Sequence, residues 1–390
     1  MQSKNSVSIR KSNTDAMYWF IFARKSVSVR DITEGIDLSL PTVKLHLQQL
    51  QAMRLITCNG MMGSTGGRKA RAYSVDDKSW ITLGLDITRR SVCMVGINLA
   101  GEKVFYRRLA IPFENKKGYY KTLGSFIEEG ISAANIRMED ILGAGLSLPA
   151  ILSEDGEYAV NSAPLGEMRI PKKAFADELP FPCTLHNDAS AGGYAAFSRL
   201  NPLPTHDGDS LVYLSVSDTV GGCIMIDGKM YPGMQQHSAE FGHMTLHPDG
   251  SPCYCGQKGC AYVYINTRRL SDLSGGELGS FFDKLSEGNA EYTQLWNSYL
   301  DDLTMLIGNI RAALDCNVII GGYLGRYIGP YMAEVRTRLG QRNMFEKTGS
   351  YVRACTDIND ITALGAALMH QHEAIRHMID DTPDAANKNG

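Results

Sequence analysis

Residues 240–260, EFGHMTLHPDGSPCYCGQKGC, bring three cysteines and two histidines into one short stretch. Thiolates and neutral imidazoles are the donors that zinc prefers. Cys253, Cys255 and Cys260 with one imidazole, from His243 or His247, would complete a closed tetrahedral shell. Such a shell leaves no position for an activated water, so a metal here would be structural, and Gly256 and Gly259 let the short loop turn back on itself. A second pair, Asn187-Asp188, reads by residue type alone as a turn or a helix cap. A third group is cationic: Arg68, Lys69 and Arg71 in GSTGGRKAR. That stretch is not a phosphate-cradling P-loop, because Arg-Lys-Ala stands where the motif needs Gly-Lys followed by Ser or Thr.

The elements that must position these residues follow from composition and pattern. A chain of 390 residues exceeds what one core organises, so two or three domains are expected. With 44% hydrophobic and 21% charged residues it is an ordinary globular composition, and no apolar run reaches the roughly 20 residues that span a bilayer. The N-terminus has no apolar segment with a small-residue cleavage site, so a cytoplasmic protein is expected. The six cysteines outside the cluster are scattered singly, the usage of reduced buried thiols. Charge is uneven: residues 1–80 carry twelve Lys and Arg against six Asp and Glu, and the remainder is net negative by nine. A basic head on an acidic body raises the prospect of a polyanion partner for the head.

Within the head, TDAMYWFIFAR (14–24) predicts a helix with an apolar stripe through Met17, Phe20 and Ile21, capped by Thr14. Two more helices follow, the first capped by Ser28 with Asp31 three residues on, the second beginning near Ser39 after a turn over Gly35–Leu38. In the last of these Val43, Leu47 and Leu50 share one face, and Thr42, Lys44, His46 and Gln48 supply donors and acceptors for base edges and phosphates. LITCNGMMGSTGGRKARAYSV then gives two short strands around a basic loop, so the head reads as a winged helix-turn-helix whose DNA contacts are Thr42, Lys44, His46, Gln48, Arg68, Lys69 and Arg71.

From Trp80 the pattern becomes α/β: strands ITLGLDI and SVCMVGINLAG, an amphipathic helix near 117–134, then ILGAGLSLP. A similar cycle starts after RLNPLPTHDGDS with LVYLSVSDTVGGCIMIDGKMY, so two lobes with a cleft between them are expected. This order, with HNDASAGG, Glu240-Phe241-Gly242-His243, Cys253-Tyr254-Cys255-Gly256-Gln257-Lys258-Gly259-Cys260 and VIIGGYLG, resembles the ROK family of repressors, open reading frames and sugar kinases. The resemblance covers nearly the whole chain. It implies a two-lobed actin-like, sugar-kinase-like (ribonuclease H-like) body behind the head. The expected division is 1–78 for the head, 79–190 and 191–378 for the lobes, and a disordered tail at 379–390.

The resemblance also implies roles. His243 is the family's metal ligand beside Cys253, Cys255 and Cys260, with His247 the spare; zinc is the expected structural ion. Asn187, Asp188, Glu240 and His243 would contact a sugar, and His243 could ligate with one nitrogen and address the sugar with the other. Asp188 is the base of the family's kinases. The kinase phosphate turns, however, read here Asp86-Ile87-Thr88-Arg89-Arg90 and Ser217-Asp218-Thr219-Val220-Gly221-Gly222, with side chains and a negative charge where glycines would admit phosphate, so ATP is not expected. Gly321-Gly322 is intact. The glutamate that follows the last cysteine by two positions in many members is Tyr262, an aromatic that could stack on a sugar or fill the pocket. Together with the Thr-Gly-Gly-Arg segment of the wing, these features resemble the family's repressors: a homodimer or dimer of dimers binding operator DNA and sensing a sugar, without catalysis. The alternatives are a sugar kinase carrying a DNA-binding head and a scaffold answering a protein partner.

Overall fold

The computed structural model describes residues 2–61, 71–200, 210–343, 345–356 and 360–381. Arg68 and Lys69 lie outside the described residues, as does most of the expected tail. The head opens with α1 (Gln2–Arg24), α2 (Val29–Gly35) and α3 (Leu40–Ala52), followed by an antiparallel hairpin of β1 (Ile56–Met61) and β2 (Arg71–Val75). Ser28 caps α2 in a capping box with Asp31, and Ser39 caps α3 with Pro41 in its first turn. These satisfy orphan amides at the points the sequence marks.

The first helix begins earlier than the sequence suggests. Thr14 is no cap, because α1 already runs through it; the side chain is buried and its hydroxyl lies 2.8 Å from His46 Nδ1.

The body contains two five-stranded sheets of the same topology. The first is built from β3 (Ile81–Ile87), β4 (Val92–Asn98), β5 (Lys103–Leu109), then α4 (Lys117–Ala133) and β6 (Ile141–Leu148). A small antiparallel sheet of β7 (Ile151–Leu152), β8 (Tyr158–Ser162) and β9 (Glu167–Pro171) follows, then α5 (Lys172–Ala176) and β10 (Cys183–Asn187), which completes the order β10-β6-β3-β4-β5. After α6 (Asp188–Leu200) the pattern repeats with β11 (Leu211–Val216), β12 (Val220–Ile226) and β13 (Lys229–Met230). The helices α7 (Ala261–Ile265), α8 (Arg268–Ser271), α9 (Leu278–Ser286) and α10 (Ala290–Leu314) lead to β14 (Asn317–Gly321). The chain ends with α11 (Gly322–Ile328), α12 (Met332–Arg342), β15 (Val352–Ala354) and α13 (Ile361–Asp380), giving the order β13-β12-β11-β14-β15. In each sheet a meander of antiparallel strands is extended on one side by two parallel ones.

The last helix ties the molecule together. It crosses back onto β3 and β6, and packs on α6, which carries the start of the cleft. The approach is close enough to require glycine: a Cβ on Gly84 of β3 would stand 1.9 Å from the Ala363 carbonyl, and one on Gly365 1.8 Å from that of Ala191 on α6. At its far end Ile375 and Ile379 join the core of the head with Met17, Ile21, Val43, Leu47 and Leu50. Residue 379 is therefore packed helix rather than tail.

Three further ties join head and body. Trp19 meets His372 edge-on at 4.6 Å, Trp80 Nε1 donates to the Met53 carbonyl, and Arg54 pairs with Asp140 at 2.7 Å.

Candidate functional site

The face of α3 away from α1 carries Lys44 and Gln48, both exposed, with Thr42 partly so; Arg71, at the start of β2, is exposed as well. His46 does not belong with them. It is 1% exposed, and its Nδ1 meets the Thr14 hydroxyl at 2.8 Å and Gln49 Oε1 at 3.2 Å. A ring enclosed between α1 and α3 cannot reach a base edge, contrary to what the sequence suggests. Its place three residues after Val43 and four before Leu50 puts it on the apolar face.

The cleft between the two sheets encloses about 720 Å³ and is lined by Asn187, Asp188, Glu240, His243, Tyr254 and apolar residues such as Ile151 and Met230. Asn187 ends β10 and caps α6: its Oδ1 accepts from the Ser190 amide at 2.9 Å while its Nδ2 donates to the Ala150 carbonyl at 3.1 Å. One side chain thus caps the helix and lines the cleft. Asp188, the first residue of α6, accepts from the Ala189 amide at 2.9 Å; burial, with the Glu240 charge adding to it, pushes its carboxyl up to about 6. Glu240 opens to solvent at the cleft rim, yet the surrounding walls hold its pKa above the ordinary range against the pull of His243 and His237. Ala239 just before it sits at φ 61°, a left-handed conformation that a residue with a Cβ adopts at a cost.

Behind this rim His243, Cys253, Cys255 and Cys260 bring one donor atom each within 4.8 Å of one another. Cys255 Sγ lies 3.7 Å from Cys260 Sγ, and His243 Nδ1 lies 3.8 Å from Cys253 Sγ. The edge of a tetrahedron with zinc–thiolate bonds is ~3.8 Å, so the donor set and its spacing fit such an ion. Backbone pairing at Thr245–Cys260 and Pro252–Lys258 closes the loop, and Gly256 takes the positive φ of 89° the turn needs. His247 stays out of the group. Its Nε2 meets Asp302 Oδ1 at 2.7 Å, and Asp302 also receives Arg269 Nη1 at 2.8 Å, which anchors the loop to α10.

Tyr262 does not take the place the sequence suggests. Tyr262 packs against the core of the second lobe instead of lining the cleft, and its ring meets Tyr254 edge-on at 4.9 Å. Tyr254, between the first two cysteines, does line the cleft, and its hydroxyl stands 3.0 Å from His243 Nε2. Its spacing in the loop carries no signal of this.

The turns that resemble phosphate sites are closed by internal bonds. In the β3–β4 turn the Thr88 amide donates to the Ser91 carbonyl, and the Ser91 amide to the Thr88 hydroxyl, with Arg89 and Arg90 exposed. Asp86 beneath them has its carboxyl pushed up to about 7 by burial and then by the Asp188 charge. In the β11–β12 turn Asp218 accepts from the Thr267 hydroxyl at 3.1 Å and pairs with Arg268 at 3.2 Å. At the start of α11 the Gly322 amide donates to Tyr213 and the Tyr323 amide to Ser217. Gly322 itself is required by packing: at φ 69° its Cβ would lie 2.5 Å from the Val216 carbonyl.

Among the described residues no helix is long and apolar enough to cross a membrane. The model of the ROK family matches residues 82–373. A xylose repressor of Caldicellulosiruptor bescii is 26% identical over 64% of this chain, which spans 62% of the repressor's length. An N-acetylmannosamine kinase of Escherichia coli O1:K1 is 32% identical over 58% of this chain and 78% of the kinase. In structure, a ROK family transcriptional regulator that is a homolog of the E. coli MLC protein superposes over 95% of this chain and 99% of its own, with a TM-score of 0.77 at 16% identity.

Proposed function

Because the chain belongs to the ROK family, we propose that it acts as a sugar-responsive transcriptional repressor, with the head on operator DNA and the cleft as sensor. The observation that carries this reading is the head itself. A three-helix unit with a hairpin precedes the body and shares a core with its last helix. Lys44, Gln48, Thr42 and Arg71 would face DNA with Arg68 and Lys69. Asn187, Asp188, Glu240 and the metal loop would face a sugar. A zinc ion held by His243, Cys253, Cys255 and Cys260 would keep that loop in shape. No step of sensing is assigned to the ion.

Sensing follows from connectivity. Asp188 begins α6, α6 packs on α13, and α13 carries α1 of the head. A sugar that draws the lobes together would move α6 and α13 as a unit and re-aim the head. In a dimer reading half-sites about 34 Å apart, a small rotation suffices to lose register. The sugar shifts the population only as far as it prefers one arrangement over the other.

A kinase carrying the same head is the second reading, favoured by Asp188, whose pKa near 6 suits a general base. Against it stand the internally bonded turns. The deciding experiment is fluorescence anisotropy of the purified protein on DNA from upstream of its own gene, at fixed salt, with and without sugars. Specific binding altered by one sugar is expected. Absence of specific binding together with sugar-dependent ADP release would replace the repressor with the kinase.

A further inference from the structure

The cleft has an unassigned aromatic side chain on its wall. Tyr254 is 60% exposed, and its ring is held by edge-on contacts to His243 at 5.2 Å and to Tyr262 at 4.9 Å. Its hydroxyl meets His243 Nε2 at 3.0 Å, while Nδ1 of the same imidazole faces Cys253. Both nitrogens of His243 are thus engaged within the protein. The imidazole that the family pattern offers to a sugar has its Nε2 taken up by the phenol, and both side chains line the cleft. A ring fixed on two sides loses little freedom when a ligand arrives, which is what an aromatic platform for a polyhydroxylated ring requires.

The charge of the walls narrows the ligand further. Asp188 and Glu240 face the cleft, and no lysine or arginine is among the described residues that line it. A phosphate ester would bring its negative charges against two carboxylates, with imidazoles such as His237 and His243 but no lysine or arginine to receive them.

We propose that Tyr254 is the ligand-selecting residue of this cleft: an unphosphorylated sugar lays its C–H face on the Tyr254 ring and turns its hydroxyls toward Asp188 and Glu240. This rests on the sugar-sensing reading above. The phenol hydroxyl orients the ring through His243, and Tyr262 supports it from behind.

The test uses the full-length protein and isothermal titration with matched pairs: xylose and xylose 5-phosphate, glucose and glucose 6-phosphate, N-acetylmannosamine and its 6-phosphate. The free sugar that binds is expected to do so at least tenfold more tightly than its ester. Tyr254→Ala should weaken it at least tenfold, and Tyr254→Phe, which keeps the ring but loses its tether, by a few-fold. Zinc content measured by mass spectrometry should match wild type in both variants, which a merely structural role for the loop would not give. Equal binding of ester and free sugar, or wild-type affinity in Tyr254→Ala, overturns the assignment. If wild type binds none of the six compounds, the sugar-sensing reading fails and this inference with it, an outcome distinct from a variant that binds as well as wild type.

Discussion

Acidification should loosen the junction between head and body through His372. This imidazole is buried where three helices meet: its Nδ1 faces the Tyr194 hydroxyl of α6 at 2.5 Å, and its ring meets Trp19 of α1. Its Nε2 has no hydrogen-bond partner among the described residues, and burial, with the Arg376 charge adding to it, pushes its pKa down to about 3. In an opened junction the ring returns to the ordinary value near 6.5. Below that pH the open form takes up a proton that the closed form refuses, so stability present above pH 6.5 is lost as the pH falls towards 3. At pH 5 the loss is about 2 kcal/mol, or ~30-fold in the opening equilibrium. Asp15 of α1, bonded to Trp19 and raised by burial, titrates in the opposite sense, so the effect is read as a difference between wild type and His372→Phe. Hydrogen exchange of the Tyr18–Phe22 amides at pH 8 and pH 5, corrected for intrinsic rates, measures it. Protection should fall ~30-fold further in wild type than in the variant. Equal falls would refute a neutral buried imidazole at this junction.

Lys44→Ala should weaken DNA binding evenly across sequences and reduce the slope of log affinity against log salt by about 0.9, read by anisotropy in a salt series. Cys255→Ser should abolish zinc binding and lower the melting temperature of the body, and wild type purified without zinc would refute the metal assignment. Gly322→Ala forces a Cβ to 2.5 Å from the Val216 carbonyl at φ 69° and should cost about 2 kcal/mol or more in urea unfolding; an unchanged midpoint would show that the α11 turn can relax.

Much of the fold was legible because its signals are local. Ser28 and Ser39 announce helix starts through the side chains that bind their first amides, and the cysteine spacing of the 253–260 loop marks out the ligand cluster. What was hidden depends on partners far along the chain. Thr14 looks like a cap until α1 is seen to begin earlier, and His46 looks like a reading residue until Thr14, 32 positions away, is found against it. By residue type alone either His247 or His243 could ligate, and the family pattern favours His243; Asp302, on α10, engages His247 and so keeps it out of the group. Tyr262 stands where a glutamate is common in the family, which marks it as a candidate for the cleft. The ring that reaches the cleft is Tyr254, and only the packing of one tyrosine behind the other reveals it.

The closed phosphate turns bear on how such a sensor works. In an ATP-dependent kinase the turns must leave backbone amides available for phosphate, so lobe closure answers to nucleotide as well as sugar. Here the Gly322 and Tyr323 amides are already bonded to Tyr213 and Ser217, and Asp218 is engaged by Thr267 and Arg268. The Asp218–Arg268 pair is open to solvent and contributes about 1 kcal/mol at most, so its consequence is positional rather than energetic. It holds a carboxylate where an incoming triphosphate would need a cation. If these bonds exclude nucleotide, a sugar's preference for the closed cleft is what would move α6, α13 and the head. On the proposed repressor reading, the bonds that close these turns would also leave the cleft answering to the sugar alone.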